Sequence, residues 1–224
     1  MTGTEGRLCS SCWQSLRFIE QPYCEILGSP FAYDIGKGAL SAEAIANPPV
    51  FDKARSVVLY DDVARRLVQG LKFSDRTDLA PWMAEWMVTA MARDGNQLTQ
   101  GNPLVVPVPL HRNRLMARRF NQSAELARAL ARQSGLDYAH DVLIRIRPTR
   151  QQVGLGARER HRNVEGAFRV PPAAKLRVKH ASILLIDDVY TTGATLQACA
   201  RALKRAGARE INCLTFARVA PGDM

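Results

Sequence analysis

Apolar residues follow two patterns along most of this chain. Short, nearly continuous apolar runs predict buried strands at residues 56–60, 104–107, 142–147, 182–186 and 211–219. Segments in which apolar residues recur every three or four positions predict amphipathic helices after residue 61 and at about 78–93, 121–134 and 195–206. Strands that alternate with helices of this length are typical of an α/β fold with a mostly parallel sheet and helices on both faces.

The chain up to about residue 50 lacks this periodicity and is rich in Cys, Gly and Pro. Asn47-Pro48-Pro49 predicts a turn or linker at its end. We therefore predict a small cysteine-containing segment over residues 1–50 and an α/β domain over residues 51–224.

The composition supports one α/β domain of ordinary size. Of the 224 residues, 46% are hydrophobic and 23% are charged, so the chain can bury a core. No apolar run approaches the roughly 18 residues of a membrane span, so no membrane insertion is expected. The N-terminus lacks the apolar segment of a secretory signal, and Cys199 and Cys213 lie in apolar segments, as buried thiols do in a reducing compartment. We expect a cytoplasmic protein.

The formal net charge of +10 indicates a polyanionic partner. Nucleic acid and a phosphorylated small molecule both meet that description, and composition does not choose between them.

One segment combines a strand, two acids and a glycine-containing turn. Residues 183–195 read ILLIDDVYTTGAT, in which a buried strand delivers Asp187 and Asp188 to the edge of the sheet where α/β proteins bind ligands. Gly193 lets backbone N–H groups approach an anion closely, and the helix after it adds the positive end of its dipole. Two carboxylates beside a phosphate cradle suit a phosphorylated ribose, with the sugar hydroxyls or a metal on the acids. The alternative is that the two acids only cap a helix.

This segment resembles the motif with which type I phosphoribosyltransferases bind phosphoribosyl pyrophosphate (PRPP). The resemblance implies that Asp187 and Asp188 are the catalytic acids, which hold the ribose and, largely through ligand oxygens and water, a Mg²⁺ ion. The turn that would bind the 5-phosphate consists of Thr191, Thr192, Gly193, Ala194 and Thr195. We expect both acids to lie exposed at a strand end, without charged partners in the core.

A basic loop follows the predicted strand at 104–107 and therefore reaches the same edge of the sheet. In the fold that the motif resembles, this loop holds the pyrophosphate, a role that would fall here to His111, Arg112 and Arg114. The planar fork of arginine suits it, because it binds phosphate in a bidentate way. The alternative is an ordinary solvated basic turn.

Residues 151–164 are polar, basic and weakly patterned, and they are predicted to form a loop. With the residues just before them they have the position of the mobile catalytic loop of the same enzymes. The residues that this implies are Arg147, Arg150, Gln151 and Gln152. Such a loop closes over the substrate, excludes water and adds positive charge as pyrophosphate leaves. The alternative is a surface loop with no part in catalysis.

Several segments together resemble the ComF family of competence-associated, phosphoribosyltransferase-like proteins. They are Leu71-Lys72-Phe73, residues 107–122, residues 151–162 and the motif at 183–195, so the likeness extends from Cys9 over nearly the whole chain. It implies a type I phosphoribosyltransferase fold preceded by cysteine knuckles.

The N-terminal cysteines depart from that family pattern. Cys9, Cys12 and Cys24 are present, but Leu27 stands where the partner of Cys24 in a knuckle would be. Structural zinc normally takes four Cys or His ligands, so these three make an incomplete site. We expect zinc to bind a monomer weakly or not at all.

Two functions are compatible with these residues. One is an enzyme that displaces pyrophosphate from PRPP with a nitrogen nucleophile in the presence of Mg²⁺. The other is a non-catalytic competence protein that binds single-stranded DNA and senses PRPP or a nucleotide, which the net charge favours. Few aromatic residues accompany the basic loops, so no base-stacking surface is predicted there. The acceptor and the oligomeric state do not follow from the sequence.

Overall fold

The computed structural model describes residues 8–73, 76–112, 115–116, 120–149 and 156–220. Within them the strands are β1 (Lys53–Leu59), β2 (Leu104–Pro107), β3 (Ile144–Arg145), β4 (Phe168–Arg169), β5 (Ser182–Tyr190) and β6 (Glu210–Arg218). The α-helices are α1 (Ser10–Gln14), α2 (Ala42–Ala46), α3 (Asp62–Phe73), α4 (Leu79–Arg93), α5 (Gln122–Ser134), α6 (Ala157–Val164), α7 (Lys175–Val178) and α8 (Ala194–Arg205). Short 3₁₀ helices occupy Gln97–Thr99 and Pro172–Ala174.

The main sheet is parallel and separates two layers of helices. Among the described residues its strands lie in the order β1-β6-β5-β2. Side chains alternate along β5, so that Ile183 and Leu185 face one half of the core while Leu184 and Ile186 face the other. Helices α6 and α8 cover the first half, and α3, α4 and α5 cover the second. The predicted mostly parallel sheet with helices on both faces is confirmed.

Local sequence sets the ends of two helices that flank the motif. The Asp61 carboxylate accepts the N–H groups of Val63 (3.1 Å) and Ala64 (2.9 Å), and so caps the start of α3. Gly135 ends α5 in the left-handed conformation, with φ 74°.

Three local predictions are wrong. Strand β5 continues to Tyr190, so the two acids lie inside a strand and not beyond its end. Of the strand predicted at 142–147 only Ile144–Arg145 pairs, antiparallel to Phe168–Arg169 and outside the main sheet. Part of the loop predicted at 151–164 is helix α6. The sequence pattern did not predict this helix, because its residues are mostly polar and form no apolar stripe.

The cysteine-containing segment lies against the sheet. Ile19 donates its N–H to the carbonyl of Val57 (2.9 Å), so the chain around Phe18 runs along the outer edge of β1. At the opposite edge, Ala139 donates to the carbonyl of Val105 in β2 (2.9 Å). The outer edges of β1 and β2 are therefore each covered by a short piece of chain that is not one of the four strands of the sheet.

The same segment contributes to the core. Cys24, Leu27, Ala44 and Phe51 are all buried in the half of the core that α8 covers. Nothing in the described part of the chain forms a helix with the length and apolar surface to cross a membrane.

Candidate functional site

The candidate site lies where β5 ends and α8 begins. Asp187 is half-buried and Asp188 is buried, with 8% of its surface exposed. Thr191 and Thr192 form the turn after the strand, and Gly193 precedes the first residue of α8. The structure thus brings together the acids and the turn that the sequence predicts.

Asp187 is held by uncharged hydrogen-bond donors. The Ser123 hydroxyl donates to its Oδ1 (2.8 Å), and so does the backbone N–H of Asp188 (3.0 Å). Burial, followed by the charge of Asp188, raises the pKa of Asp187 to about 7, against the lowering effect of these bonds.

Asp188 has a charged partner from a distant helix. Lys72, in the last turn of α3, places its Nζ 2.8 Å from Asp188 Oδ2. Burial acts to lower the pKa of Lys72, but the charge of Asp188, the hydrogen bond to it and the charge of Asp187 together outweigh burial and raise the pKa above its ordinary value. The expectation that both acids are exposed and unpaired is wrong, because α3 brings an ammonium onto one of them.

Asn121 fixes the position of Ser123. Its side chain accepts the N–H of Ser123 (3.1 Å) at the start of α5 and donates to the carbonyl of Val108 (2.9 Å) just after β2. The capping residue therefore connects the loop beyond β2 to the hydroxyl that Asp187 accepts.

The turn has the features of an anion cradle. Gly193 has φ 69°, which residues with a side chain rarely adopt, and a Cβ there would lie 2.5 Å from the Tyr190 hydroxyl oxygen. The hydroxyl oxygen of Thr192 is buried and has no hydrogen-bond partner among the described residues. The first bond of helix α8 runs from Gln197 to Gly193, so the positive end of the helix dipole lies at the turn. An anion in the turn would accept the Thr192 hydroxyl and be attracted by this helix end.

The predicted pyrophosphate loop begins next to the acids. Val108 donates its N–H to Ile186 (2.9 Å), immediately before the acids in β5. His111 is half-buried and Arg112 is exposed, whereas Arg114 lies outside the described residues. The structure therefore confirms the edge at which this loop emerges.

The second basic segment is anchored at one end. Arg147 donates from Nη2 to the carbonyls of Asn163 (3.2 Å) and Glu165, beside the end of α6. Arg150, Gln151 and Gln152 lie outside the described residues.

The comparisons with known proteins fit this geometry. Residues 121–222 match the family described as phosphoribosyl transferase domain, and residues 1–45 match the double zinc ribbon domain. The DNA utilization protein YhgH of Salmonella typhimurium is 32% identical over 213 residues, which cover 94% of this chain and 90% of that protein. This chain belongs to the ComF family.

A second ComF relative, Competence protein F of Haemophilus influenzae, is 28% identical, again over 94% of this chain and 90% of the relative. Among solved structures, L. donovani hypoxanthine-guanine phosphoribosyl transferase aligns over 62% of this chain and 67% of its own, with TM-score 0.37 and 19% identity. The ComF chain described here has the type I phosphoribosyltransferase fold, with a cysteine-containing segment ahead of it.

That segment brings the Cys9 and Cys12 thiols into contact but does not add Cys24 to them. Cys24 is buried, and its Sγ accepts the N–H groups of Ser41 (3.2 Å) and Leu27 (3.4 Å), whereas Cys9 is exposed. Burial acts to raise the pKa of the Cys24 thiol, but these hydrogen bonds outweigh it and lower the pKa. Among the described residues no three His, Cys, Asp or Glu side chains are grouped to hold a metal, so Cys9, Cys12 and Cys24 do not form one ligand set.

Sequence reasoning assigned no role to Lys72 or Ser123. Lys72 lies in the stretch Leu71-Lys72-Phe73 that resembles ComF proteins, so a signal existed without a role attached to it. For Ser123 the only sequence signal was its position two residues after Asn121, which caps the same helix.

A cavity of about 790 Å³ lies apart from this site, between the N-terminal segment, β1 and α4. Its walls include Trp13, Phe18 and Trp86, with ring centroids 4.7 Å apart for the two indoles. Trp13 is 46% exposed, which is unusual for so large an apolar side chain.

Proposed function

We propose that this chain binds PRPP with Mg²⁺ and transfers its phosphoribosyl group to a nitrogen acceptor with release of pyrophosphate. The observation that carries the proposal is the adjacency of two carboxylates, Asp187 and Asp188, to a turn in which the buried Thr192 hydroxyl has no hydrogen-bond partner among the described residues. A phosphorylated sugar presents hydroxyls for the acids and a phosphate for the turn on one molecule. A free nucleobase or an amino acid does not.

The 5-phosphate would bind in the turn. The positive end of α8, which begins at Ala194, would attract the phosphate, and the buried Thr192 hydroxyl would supply a donor. Hydrogen bonds to a charged phosphate contribute on the order of 1.5–3 kcal/mol each. A few of them support micromolar binding.

The ribose hydroxyls would bind the acids, and the donor set also fits Mg²⁺. Carboxylate oxygens are hard ligands, but two carboxylates do not enclose an ion, so Mg²⁺ would keep water and take oxygens from PRPP. When bound, the ion offsets the negative charge that builds on departing pyrophosphate. Lys72 pairs with Asp188, which offsets the cost of burying that carboxylate beside a second acid.

In the proposed reaction the lone pair of the acceptor nitrogen forms a bond to C1 of the ribose. The bond from C1 to the pyrophosphate oxygen breaks, and its electron pair leaves with pyrophosphate. The proton from the attacking nitrogen passes to pyrophosphate or to solvent, so no protein nucleophile is needed. His111, Arg112 and Arg114 would stabilise the leaving charge, and Arg147, Arg150, Gln151 and Gln152 would close over it.

Calorimetry with PRPP and Mg²⁺ tests the site. The double variant Asp187→Asn, Asp188→Asn is expected to lose at least tenfold in affinity, whereas Asp141→Asn, an exposed acid in an ion pair with Arg177, is expected to bind as wild type. Equal affinity in all of these proteins would overturn the assignment. Pyrophosphate release, screened against bases and amines, then tests catalysis and identifies the acceptor.

A second candidate function is binding of single-stranded DNA without catalysis. The net charge of +10 and the aromatic cavity around Trp13 favour it, as does the name DNA utilization protein given to a relative. Fluorescence anisotropy with a labelled oligonucleotide should then show log K falling by roughly 0.7 per phosphate contact for each unit of log salt. Loss of binding in Trp13→Ala, or competition by PRPP, would locate the DNA; no binding at low salt would exclude this function.

A cytoplasmic location belongs to the same proposal. The five cysteines are all free thiols, as expected in a reducing compartment.

A further inference from the structure

The phosphate turn rests on a buried aromatic ring. Tyr190, the last residue of β5, is 3% exposed. Its phenol end lies under Gly193, where an added Cβ would be 2.5 Å from the hydroxyl oxygen and 2.8 Å from Cζ. The position of this ring therefore sets the height and the shape of the turn above it.

An arginine packs over the face of that ring. The guanidinium carbon of Arg218 lies 4.2 Å from the centroid of the Tyr190 ring, and the two residues are register partners in neighbouring strands. A flat guanidinium over an aromatic ring is attractive, and more so when both groups are desolvated. The ring therefore contacts both Arg218 and Gly193.

The arginine in turn is held by the N-terminal segment. Arg218 donates from Nη1 to the carbonyl of Leu27, in the turn that Cys24 organises through its two N–H···S bonds. That turn is pressed against β1, because a Cβ on Gly28 would lie 2.4 Å from the carbonyl oxygen of Ala54. A series of contacts thus connects the turn around Cys24 and Leu27 to Arg218, Arg218 to Tyr190, and Tyr190 to Gly193. We call this series the contact chain.

Burying Arg218 lowers the stability of the protein, which a purely structural role for this residue does not explain. It is 2% exposed, its Nε has no hydrogen-bond partner, and it forms no ion pair with any described residue. A buried guanidinium with so few partners costs stability relative to an apolar side chain of similar size. The flat charged contact with Tyr190 is what an apolar residue could not supply.

We propose that Arg218 and Tyr190 are positioning residues through which the cysteine-containing segment sets the shape of the 5-phosphate turn. They do not touch the ligand. They act by keeping Gly193 and the first N–H groups of α8 in the arrangement that receives a phosphate monoester. This inference rests on the proposed function.

The test separates the turn from the rest of the site with two probes. Ribose 5-phosphate reports on the turn, whereas pyrophosphate with Mg²⁺ reports on the leaving-group side. We expect Tyr190→Leu and Arg218→Met each to weaken ribose 5-phosphate and PRPP about tenfold or more, while pyrophosphate affinity stays within about twofold. The double variant should be little worse than either single variant, because both break one contact chain.

Conservative variants and a matched control show whether a loss of affinity comes from the turn or from a general loss of stability. Tyr190→Phe keeps the ring and should retain affinity within about threefold, whereas Arg218→Lys keeps the charge but loses the flat contact and should fall between wild type and Arg218→Met. Leu98→Ala, a fully buried residue at the opposite end of the sheet, should lower stability without changing the affinity ratio of the two probes.

The outcomes are distinct. Folded Tyr190→Leu or Arg218→Lys with wild-type affinity for ribose 5-phosphate overturns the positioning role alone, as does an equal loss for both probes. Wild-type protein that binds neither PRPP nor ribose 5-phosphate overturns the proposed function and this inference with it.

Discussion

Asp187 and Asp188 are neighbours in one strand, yet their carboxyl groups lie in different electrostatic environments. Asp188 pairs with Lys72, whereas burial and the charge of Asp188 raise the pKa of Asp187 to about 7. The pKa of an aspartate in an unfolded chain is about 3.9. Because the folded protein holds this proton more tightly, the support that protonated Asp187 gives to folding is complete below about pH 4. It is lost as the pH rises through about 7.

We predict that Asp187→Asn stabilises the protein above about pH 7, by something on the order of 1–4 kcal/mol. The amide stays neutral at every pH and still accepts the Ser123 hydroxyl. The gain over wild type should shrink toward zero as the pH falls from about 7 to about 4. Urea unfolding of both proteins across this pH range measures the difference.

Asp188→Asn is the matched comparison for that prediction. It leaves the Lys72 ammonium largely buried without its carboxylate, so we expect a loss of about 1–3 kcal/mol near neutral pH. Both variants should nevertheless bind PRPP less well. Stability changes of the same sign in the two variants would contradict this account of the charges.

Gly193→Ala tests the shape of the turn. Its left-handed backbone alone costs an alanine about 1–2 kcal/mol, and the buried Tyr190 ring adds a steric clash. Gly135→Ala has a similar φ, 74°, but nothing lies within 4 Å of its Cβ. We predict a larger loss of stability for Gly193→Ala and a loss of PRPP affinity in that variant alone, measured by urea unfolding and calorimetry. Equal effects of the two substitutions would show that the contact with Tyr190 is unimportant.

The acids and the turn could be predicted because they are contiguous in sequence. Their partners could not, because Lys72 and Ser123 each come from a separate helix and reach the acids only once the fold is assembled. No local pattern records that approach. A lysine at the end of an amphipathic helix usually faces solvent.

Helix α5 connects two strands of the site through its cap. Asn121→Ala should cost about 1–2 kcal/mol, because the Ser123 N–H and the Val108 carbonyl both lose a partner. It should also weaken PRPP binding, since Ser123 orients Asp187. Ser41→Ala removes the cap of the short helix α2 and is expected to lower stability alone. Thermal unfolding with and without PRPP separates these results, and a purely structural effect of Asn121→Ala would leave ligand affinity unchanged.

Elements with a clear period were predictable, and those whose burial depends on neighbours were not. Residues 104–107 and α5 match their predicted bounds within one residue. Val142 and Leu143 are buried as apolar residues but pair with no strand, because burial alone does not require a strand. Helix α6 buries Val164 at its end, so periodicity could not reveal it.

Across the entire chain, the N-terminal segment is held by packing. Cys24, Leu27 and Phe51 are buried with α8, and the Cys24 sulfur accepts two backbone N–H groups. We predict that a strong chelator leaves the melting temperature unchanged within about 1–2 °C, whereas Cys24→Ala lowers it. Native mass spectrometry that finds one firmly bound zinc per monomer would contradict this. Cys9→Ala, an exposed thiol, is the control.

The strip of chain around Phe18 has a consequence for self-association. It covers the outer edge of β1, as residues 137–139 cover the outer edge of β2. An uncovered edge offers unpaired N–H and C=O groups to any other strand, and is a common start of aggregation. A shortened protein that lacks residues up to Ile19 would therefore expose the unpaired edge of β1. It should form oligomers or precipitate even where its binding site is intact.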